Sequence, residues 1–324
     1  MNHNTIQTYS RLGFGLSSIA GSGNFAHQER LIRTAIDCGI THFDVAPYYG
    51  SGDAEKILGD ILSNVKEEVT VTTKFGLIPV GGGVSGSMLR AALRPIFRRM
   101  KSLKQIASKV VRKTHQSKPL TFNPGDLKES LDASLKKLQR PVDIFLLHDA
   151  DYAFATNPAL IEELEQAKTQ GSAILTGVSG NSDTVTRLVN EYSQQYPVAQ
   201  LENSLKNPAP IAELEKSASY IITHRAIQGG INELFFLLEM RPKFAQVWAR
   251  EIGVDITNKE ELANILIELA LFENKRGTIL FSTTHPDRIK RVAQAYSSPV
   301  LSESEYAKIR TLFEDVYIER ETVN

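Results

Sequence analysis

Short apolar or β-branched runs alternate along the chain with longer stretches in which apolar residues recur every three or four positions. The first pattern belongs to strands and the second to helices with one buried face. Strands are expected at Arg11–Leu16, Thr41–Val45, Val69–Phe75, Val142–Leu147, Ile174–Val178, Val198–Leu201, Tyr220–Thr223 and Thr278–Phe281. The run VDIFLL at Val142–Leu147 is apolar on both faces, as in a strand covered on each side. Helices are expected at Gln28–Cys38, Asp53–Leu62, Asp126–Leu138, Pro158–Thr169 (stopped at Gly171), Ser182–Gln194 with Ser182 as N-cap, Ile211–Ser217, Asn258–Asn274 and Pro286–Ala295. Eight strand–helix units predict an α/β chain closed as a (β/α)8 TIM barrel, one domain over residues 1–324. An open doubly wound sheet would place a Gly-x-Gly-x-x-Gly turn after its first strand; Gly13-Phe14-Gly15 and Gly21-Ser22-Gly23 do not have that spacing.

Two connections exceed ordinary length: residues 77–121 after the third strand and a long loop over 225–257 after the seventh. From Met88 to Lys118 there are ten Lys and Arg residues and no acid. Leu89, Leu93, Ile96, Met100, Leu103, Ala107 and Val110 repeat at helical spacing, so a basic amphipathic helix is expected at 88–118, bent at Pro95. Three roles suit such a helix: a solvated face packed on the barrel, a lid attracting an anionic ligand or phosphate, or contact with an anionic surface or partner.

Composition narrows the function classes. The 324 residues are 42% hydrophobic, enough for a large core, and Lys+Arg equals Asp+Glu at 37 each. A balanced net charge gives no reason to expect a nucleic-acid partner. No apolar run approaches the roughly 18 residues of a membrane span, and the first residues lack a signal-peptide pattern, so a cytoplasmic protein is expected. The single cysteine, Cys38, has no internal disulfide partner and lies in an apolar helical stretch, as a buried structural thiol would.

The strand ends carry the candidate chemistry. The second strand delivers Asp44, with Tyr49 five residues later; the third ends in Lys74 and the fourth in His148. A barrel gathers such positions at one rim. A phenol with a pKa near 10 exchanges protons near neutrality only if a cation favours the phenolate; Lys74 is that cation, and Asp44 holds it. His148 is placed to donate a hydrogen bond to the same substrate oxygen. A polarised oxygen with a proton donor suits hydride transfer at carbon, and because no side chain supplies a hydride, a nicotinamide cofactor is implied.

This set resembles the aldo-keto reductase family. Its Asp, Tyr, Lys and His tetrad matches Asp44, Tyr49, Lys74 and His148, within a pattern that also includes Ala46, Gly50, Glu55 and Gly59. The resemblance implies an oxidoreductase interconverting a small carbonyl compound (aldehyde, ketone or sugar) and its alcohol, with Tyr49 as general acid/base. The implied cofactor is NADP(H), with NAD(H) the alternative. GVSGNS at Gly177–Ser182 is similar to the family's carboxamide-binding turn, giving Ser179 and Asn181, with Gly180 where the family has Asn; Gln200 stands at the family's carboxamide-binding Gln. In the seventh strand Thr223 takes the place of the aromatic residue that stacks on the nicotinamide, with His224 beside it. FSTTHPDRI resembles the phosphate-binding segment, giving Ser282, Thr283, Thr284 and Arg288, the last facing the 2′-phosphate. Trp248, Arg241 and Lys243 belong either to a cofactor clasp or to a plain helix on the rim. A cofactor-binding sensor or scaffold with little turnover is the competing reading.

Overall fold

The strand that the alternation marks as doubly buried is buried at every position, Val142–His148, and seven others close round it. The computed structural model describes residues 9–19, 24–79, 117–119 and 123–311. Its strands are β1 (Leu12–Gly15), β2 (His42–Asp44), β3 (Thr70–Phe75), β4 (Leu77–Pro79), β5 (Ser117–Pro119), β6 (Val142–His148), β7 (Ala173–Gly180), β8 (Val198–Glu202), β9 (Tyr220–His224) and β10 (Thr278–Phe281). All but β4 and β5 form a closed barrel in the order β1-β10-β9-β8-β7-β6-β3-β2, and its eight pairings are parallel. The (β/α)8 expectation is met.

The helices are α1 (Phe25–Asp37), α2 (Ala54–Leu62), α3 (Asp126–Leu138), α4 (Tyr152–Ala155), α5 (Pro158–Thr169), α6 (Ser182–Glu191), α7 (Ile211–Leu214), α8 (Ile231–Met240), α9 (Pro242–Ile252), α10 (Lys259–Glu273) and α11 (Pro286–Ser297). Asparagine side chains cap several of them: Asn24, Asn157, Asn181 and Asn258 each accept from backbone N–H groups of the first turn. The cap of α6 is thus Asn181, not Ser182, which is the first helical residue.

Family-pattern residues Glu55 and Gly59 turn out to dock α2. Glu55 is fully buried and accepts from Thr73 Oγ1 on β3 (2.8 Å) and Lys137 Nζ on α3 (3.1 Å). A Cβ at Gly59 would collide with the Lys137 carbonyl, so only glycine allows α2 and α3 this close. One hydrophobic cluster fills the space between barrel and helices, and a smaller one, with Ile144, Leu146, Val198, Tyr220 and Ile222, lies together with Tyr9 and Leu280.

The two long connections differ from expectation. Residues 225–257 are not a loop: α8 and α9 pack with α10 and residues 301–309 in a cluster of their own, centred on Trp248 at 1% exposure. The helical period was masked in α8 by its nearly continuous apolar run, INELFFLLEM. Most of the basic helix expected at 88–118 lies outside the described residues. Its last two positions do not: Ser117 and Lys118 belong to β5, paired antiparallel with β4. Pro119 disfavours helical geometry at Lys118 and so favours the strand. Cys38 is half-buried at the C-terminus of α1, not in the core, and burial pushes its thiol pKa up, away from nucleophilic use.

Candidate active site

Parallel register sets the rim. Gly15 pairs with Asp44 and Asp44 with Thr72 across β1, β2 and β3; His148 pairs with Ser179 and Ser179 with Gln200 across β6, β7 and β8. Above this rim lies a cavity of about 1130 Å³. Of the twelve residues singled out by sequence, ten line it: Asp44, Tyr49, His148, Ser179, Asn181, Gln200, His224, Ser282, Thr283 and Arg288. Lys74 lies beneath the cavity floor and Thr284 is not part of the wall; His27 Nε2 meets the Thr284 carbonyl at 3.0 Å.

The centre of the floor is a buried ion pair. Lys74 Nζ donates to Asp44 Oδ1 at 2.5 Å and to the Val45 carbonyl at 3.2 Å, with side-chain exposures of 1% and 5% for the pair. Burial pushes the Lys74 pKa down and Asp44 opposes that shift. Gln200 Nε2 donates to the other carboxylate oxygen of Asp44 at 2.7 Å. The Tyr49 ring stands over this pair, 5.2 Å from Lys74 Nζ to the ring centroid. The His148 ring lies tilted against Tyr48 and edge-on to Tyr49, at centroid distances of 5.3 and 6.1 Å.

The electrostatics depart from expectation in one respect. The Tyr49 phenol is pushed well above its ordinary pKa, first by burial and then by Asp44, Tyr48 and Asp149, with a hydrogen bond to Tyr48 adding to it. Lys74 therefore does not make Tyr49 a phenolate; its protons go to Asp44 and Val45. His148 is held well below its ordinary pKa by burial, by Lys74 and by His224, so its imidazole is neutral at physiological pH. His224 is lowered to about 4, chiefly by burial.

Thr223 is 1% exposed and absent from the cavity wall; the residue of β9 that faces the cavity is the imidazole of His224. Ser282 Oγ lies 2.6 Å from Ser18 Oγ, and Thr283 Oγ1 accepts from His285 N at 3.2 Å. Asn181 spends its side-chain oxygen on the cap of α6. Trp248, Arg241 and Lys243 are not in the wall; Trp248 lies at the centre of the helical cluster instead.

Sequence reasoning missed several wall residues. Glu202 lies two positions beyond Gln200 on the same face of β8, and it pairs with Arg225 at 3.0 Å. Strand alternation could have identified it. Arg291 follows Arg288 by one helical turn, and a first-turn reading of α11 would have placed both together; Arg291 pairs with Glu260 on α10. Asp149, next to His148, gave no signal beyond adjacency. Among the described residues no group of His, Cys, Asp and Glu is arranged to hold a metal ion, and no helix is long and apolar enough to cross a membrane.

A closed parallel barrel whose strand ends assemble Asp, Tyr, Lys and His over one cavity defines the class. The model of the aldo/keto reductase family matches residues 11–217, and the chain belongs to that family. Among curated proteins, L-glyceraldehyde 3-phosphate reductase of Escherichia coli (strain K12) is 37% identical over 93 residues, 24% of this chain and 27% of that protein. An uncharacterized oxidoreductase, YcsN of Bacillus subtilis (strain 168), is 27% identical over 191 residues, 57% of this chain and 53% of that one. The chain thus spans only part of the length of the curated relatives it matches. In fold it is similar to the glycerol dehydrogenase AKR11B4 from Gluconobacter oxydans, with a TM-score of 0.70, 18% identity and coverage of 98% and 94% of the two chains. It is also similar to the holo form of aldo-keto reductase AKR11C1 from Bacillus halodurans, with a TM-score of 0.66, 17% identity and coverage of 95% and 92%.

Proposed function

We propose that this chain is an NADP(H)-dependent oxidoreductase that interconverts a small carbonyl compound and its alcohol, with Tyr49 as the group that moves the proton. The observation that carries this reading is the stack of Tyr49 over the buried Asp44–Lys74 pair beside a neutral His148, all at one end of a large cavity. A nicotinamide dinucleotide suits the donor set of that cavity. Ser179, Gln200 and His224 line one part, Ser282, Thr283, Arg288 and Arg291 another, and the volume is a little above the usual range for ligand and cofactor sites, enough for a dinucleotide. When bound, the nicotinamide supplies the hydride.

The residues of the chain perform the rest. With its pKa raised, Tyr49 keeps its proton at neutral pH and is set up as the acid in the reducing direction. A substrate carbonyl oxygen between Tyr49 and His148 receives a hydrogen bond from each, which favours charge developing on that oxygen. As the proton passes to the substrate, the remaining phenolate faces the Lys74 ammonium, whose charge Asp44 maintains. Oxidation of the alcohol runs the same steps backwards. Arg288 is assigned to the 2′-phosphate, which favours NADP(H) over NAD(H). The test is an assay of NADPH oxidation and NADP reduction by the purified chain against a panel of aldehydes, ketones, sugars and their phosphates. Turnover with any member supports the reading; cofactor binding without turnover across the panel overturns it in favour of a sensor.

A further inference from the structure

Charge is distributed unevenly round the cavity. Three acids of its wall are balanced: Asp44 pairs with Lys74 at 2.5 Å, Glu202 with Arg225 at 3.0 Å, and Glu260 with Arg291. A fourth wall acid, Asp149, has no hydrogen bond or ion pair on its carboxylate among the described residues. Two wall cations, Lys259 and Arg288, likewise have no acid partner among those residues; Lys259 Nζ donates to Asn232 Oδ1 at 2.7 Å. Barrel order sets them apart from Asp149. Asp149 directly follows β6, whereas Lys259 opens the helix that leads into β10 and Arg288 stands in the first turn of the helix after it. β6 and β10 are four strands apart round a barrel of eight, on opposite sides. The reacting groups stand on the Asp149 side, because Tyr49, Lys74 and His148 belong to or follow β2, β3 and β6, which are consecutive in the barrel.

Backbone geometry holds Asp149 at that place. Its φ is 49°, its N–H donates to the Ser179 carbonyl at 2.8 Å, and its Oδ1 lies 3.5 Å from where a Cβ on Gly180 would stand. Its charge reaches the proton-moving groups. Burial and Asp44 raise the Tyr49 pKa and Asp149 adds to them; burial lowers that of Lys74, and Asp44 and Asp149 oppose it. A carbonyl oxygen held by Tyr49 and His148 brings the adjoining carbons of the substrate to this side of the cavity. A hydroxyl on those carbons can donate to a carboxylate, whereas a carboxylate or phosphate there meets a like charge and is disfavoured.

We infer that Asp149 sets the charge of the substrate: the site takes carbonyl compounds that carry hydroxyl groups and no anionic group, and Asp149 turns away those with a carboxylate or phosphate. The inference rests on the oxidoreductase reading above.

The experiment measures kcat/KM of the full chain with NADPH at pH 8 for two pairs of aldehydes: glyceraldehyde with its 3-phosphate, and benzaldehyde with 4-carboxybenzaldehyde. The parent is expected to prefer the uncharged member of each pair by about tenfold or more. Asp149→Asn and Asp149→Gly, both compatible with a left-handed backbone, are expected to cut each preference by about five- to tenfold, through a gain on the anion. Raising salt to about 0.5 M is expected to narrow the parent's preference and to leave that of the variants nearly unchanged, which a packing role for Asp149 would not do. Preferences unchanged in both variants, or a parent that prefers the phosphate, would overturn the inference. A parent that turns over neither glyceraldehyde nor benzaldehyde overturns it as well, while the wider panel decides the oxidoreductase reading separately.

Discussion

Gln200 donates to Asp44 at 2.7 Å from across the barrel, so the carboxylate that holds Lys74 is itself held on its second oxygen. A residue expected at the cofactor is thereby tied to the buried ion pair as well. Its two donors are unequal. Gln200→Leu leaves one buried carboxylate oxygen without a partner and is expected to lower stability by about 1–3 kcal/mol. Asp44→Asn leaves the buried ammonium of Lys74 without its counter-charge and is expected to lower it by about 3–5 kcal/mol. Urea denaturation of the two variants checks the order; the reverse order would mean that Lys74 does not depend on Asp44.

Tyr49→Phe removes the phenol hydroxyl, the proton donor of the proposal, and leaves the ring. Turnover is expected to fall by about 10²–10⁴-fold, while cofactor affinity stays within about twofold of the parent. Steady-state assay with a substrate from the panel and a separate binding titration give the two numbers. A variant of near-normal rate would sink the assignment of Tyr49.

Arg288 lies in the cavity wall, one turn before Arg291, whose guanidinium is already paired with Glu260. Tighter binding of NADPH than of NADH is expected, and Arg288→Ala is expected to remove most of that difference by weakening NADPH alone. Equal affinities in the parent would refute the assignment.

His42 and His224 make stability depend on pH. Both are held at about 4, chiefly by burial, against an ordinary value near 6.5. Between those values the unfolded chain takes up protons that the folded chain refuses, so stability falls as the pH drops from about 6.5 to about 4. The loss is expected to reach up to roughly 3 kcal/mol for fully buried His42, whose ring nitrogens lie 2.8 and 3.2 Å from Thr70 and Thr72 hydroxyls. Urea midpoints measured at pH 7.5, 6 and 4.5 should decline in that order, and less steeply in His42→Gln. A flat series would contradict the burial argument.

The barrel was legible because each of its strands is an apolar or β-branched run with a helix after it, and period alone separates the two. The tetrad was legible for a related reason: a polar residue at the end of such a run has little structural purpose, and three of them, with Tyr49 in the turn after the first, fell where a barrel converges. What stayed hidden depended on contacts between distant segments. Nothing local in INELFFLLEM separates a helix from a strand. Nothing around Ser182 shows that Asn181 would take the cap. Thr223 and His224 are neighbours on β9, and only the barrel register decides which of them faces the cavity. That Asp44 holds Lys74 was legible from the strand ends, whereas the burial that raises the Tyr49 pKa depends on contacts no local stretch shows.

The cavity draws its parts from two separately packed bodies of side chains. Asp44, Lys74 and His148 stand on strands of the barrel, whereas Ile231, Asn232, Ala263 and Asn264 reach the cavity from α8 and α10, in and around the cluster centred on Trp248. Substitutions in that second body can reshape the far wall of the cavity while Asp44, Tyr49, Lys74 and His148 keep their places on the barrel.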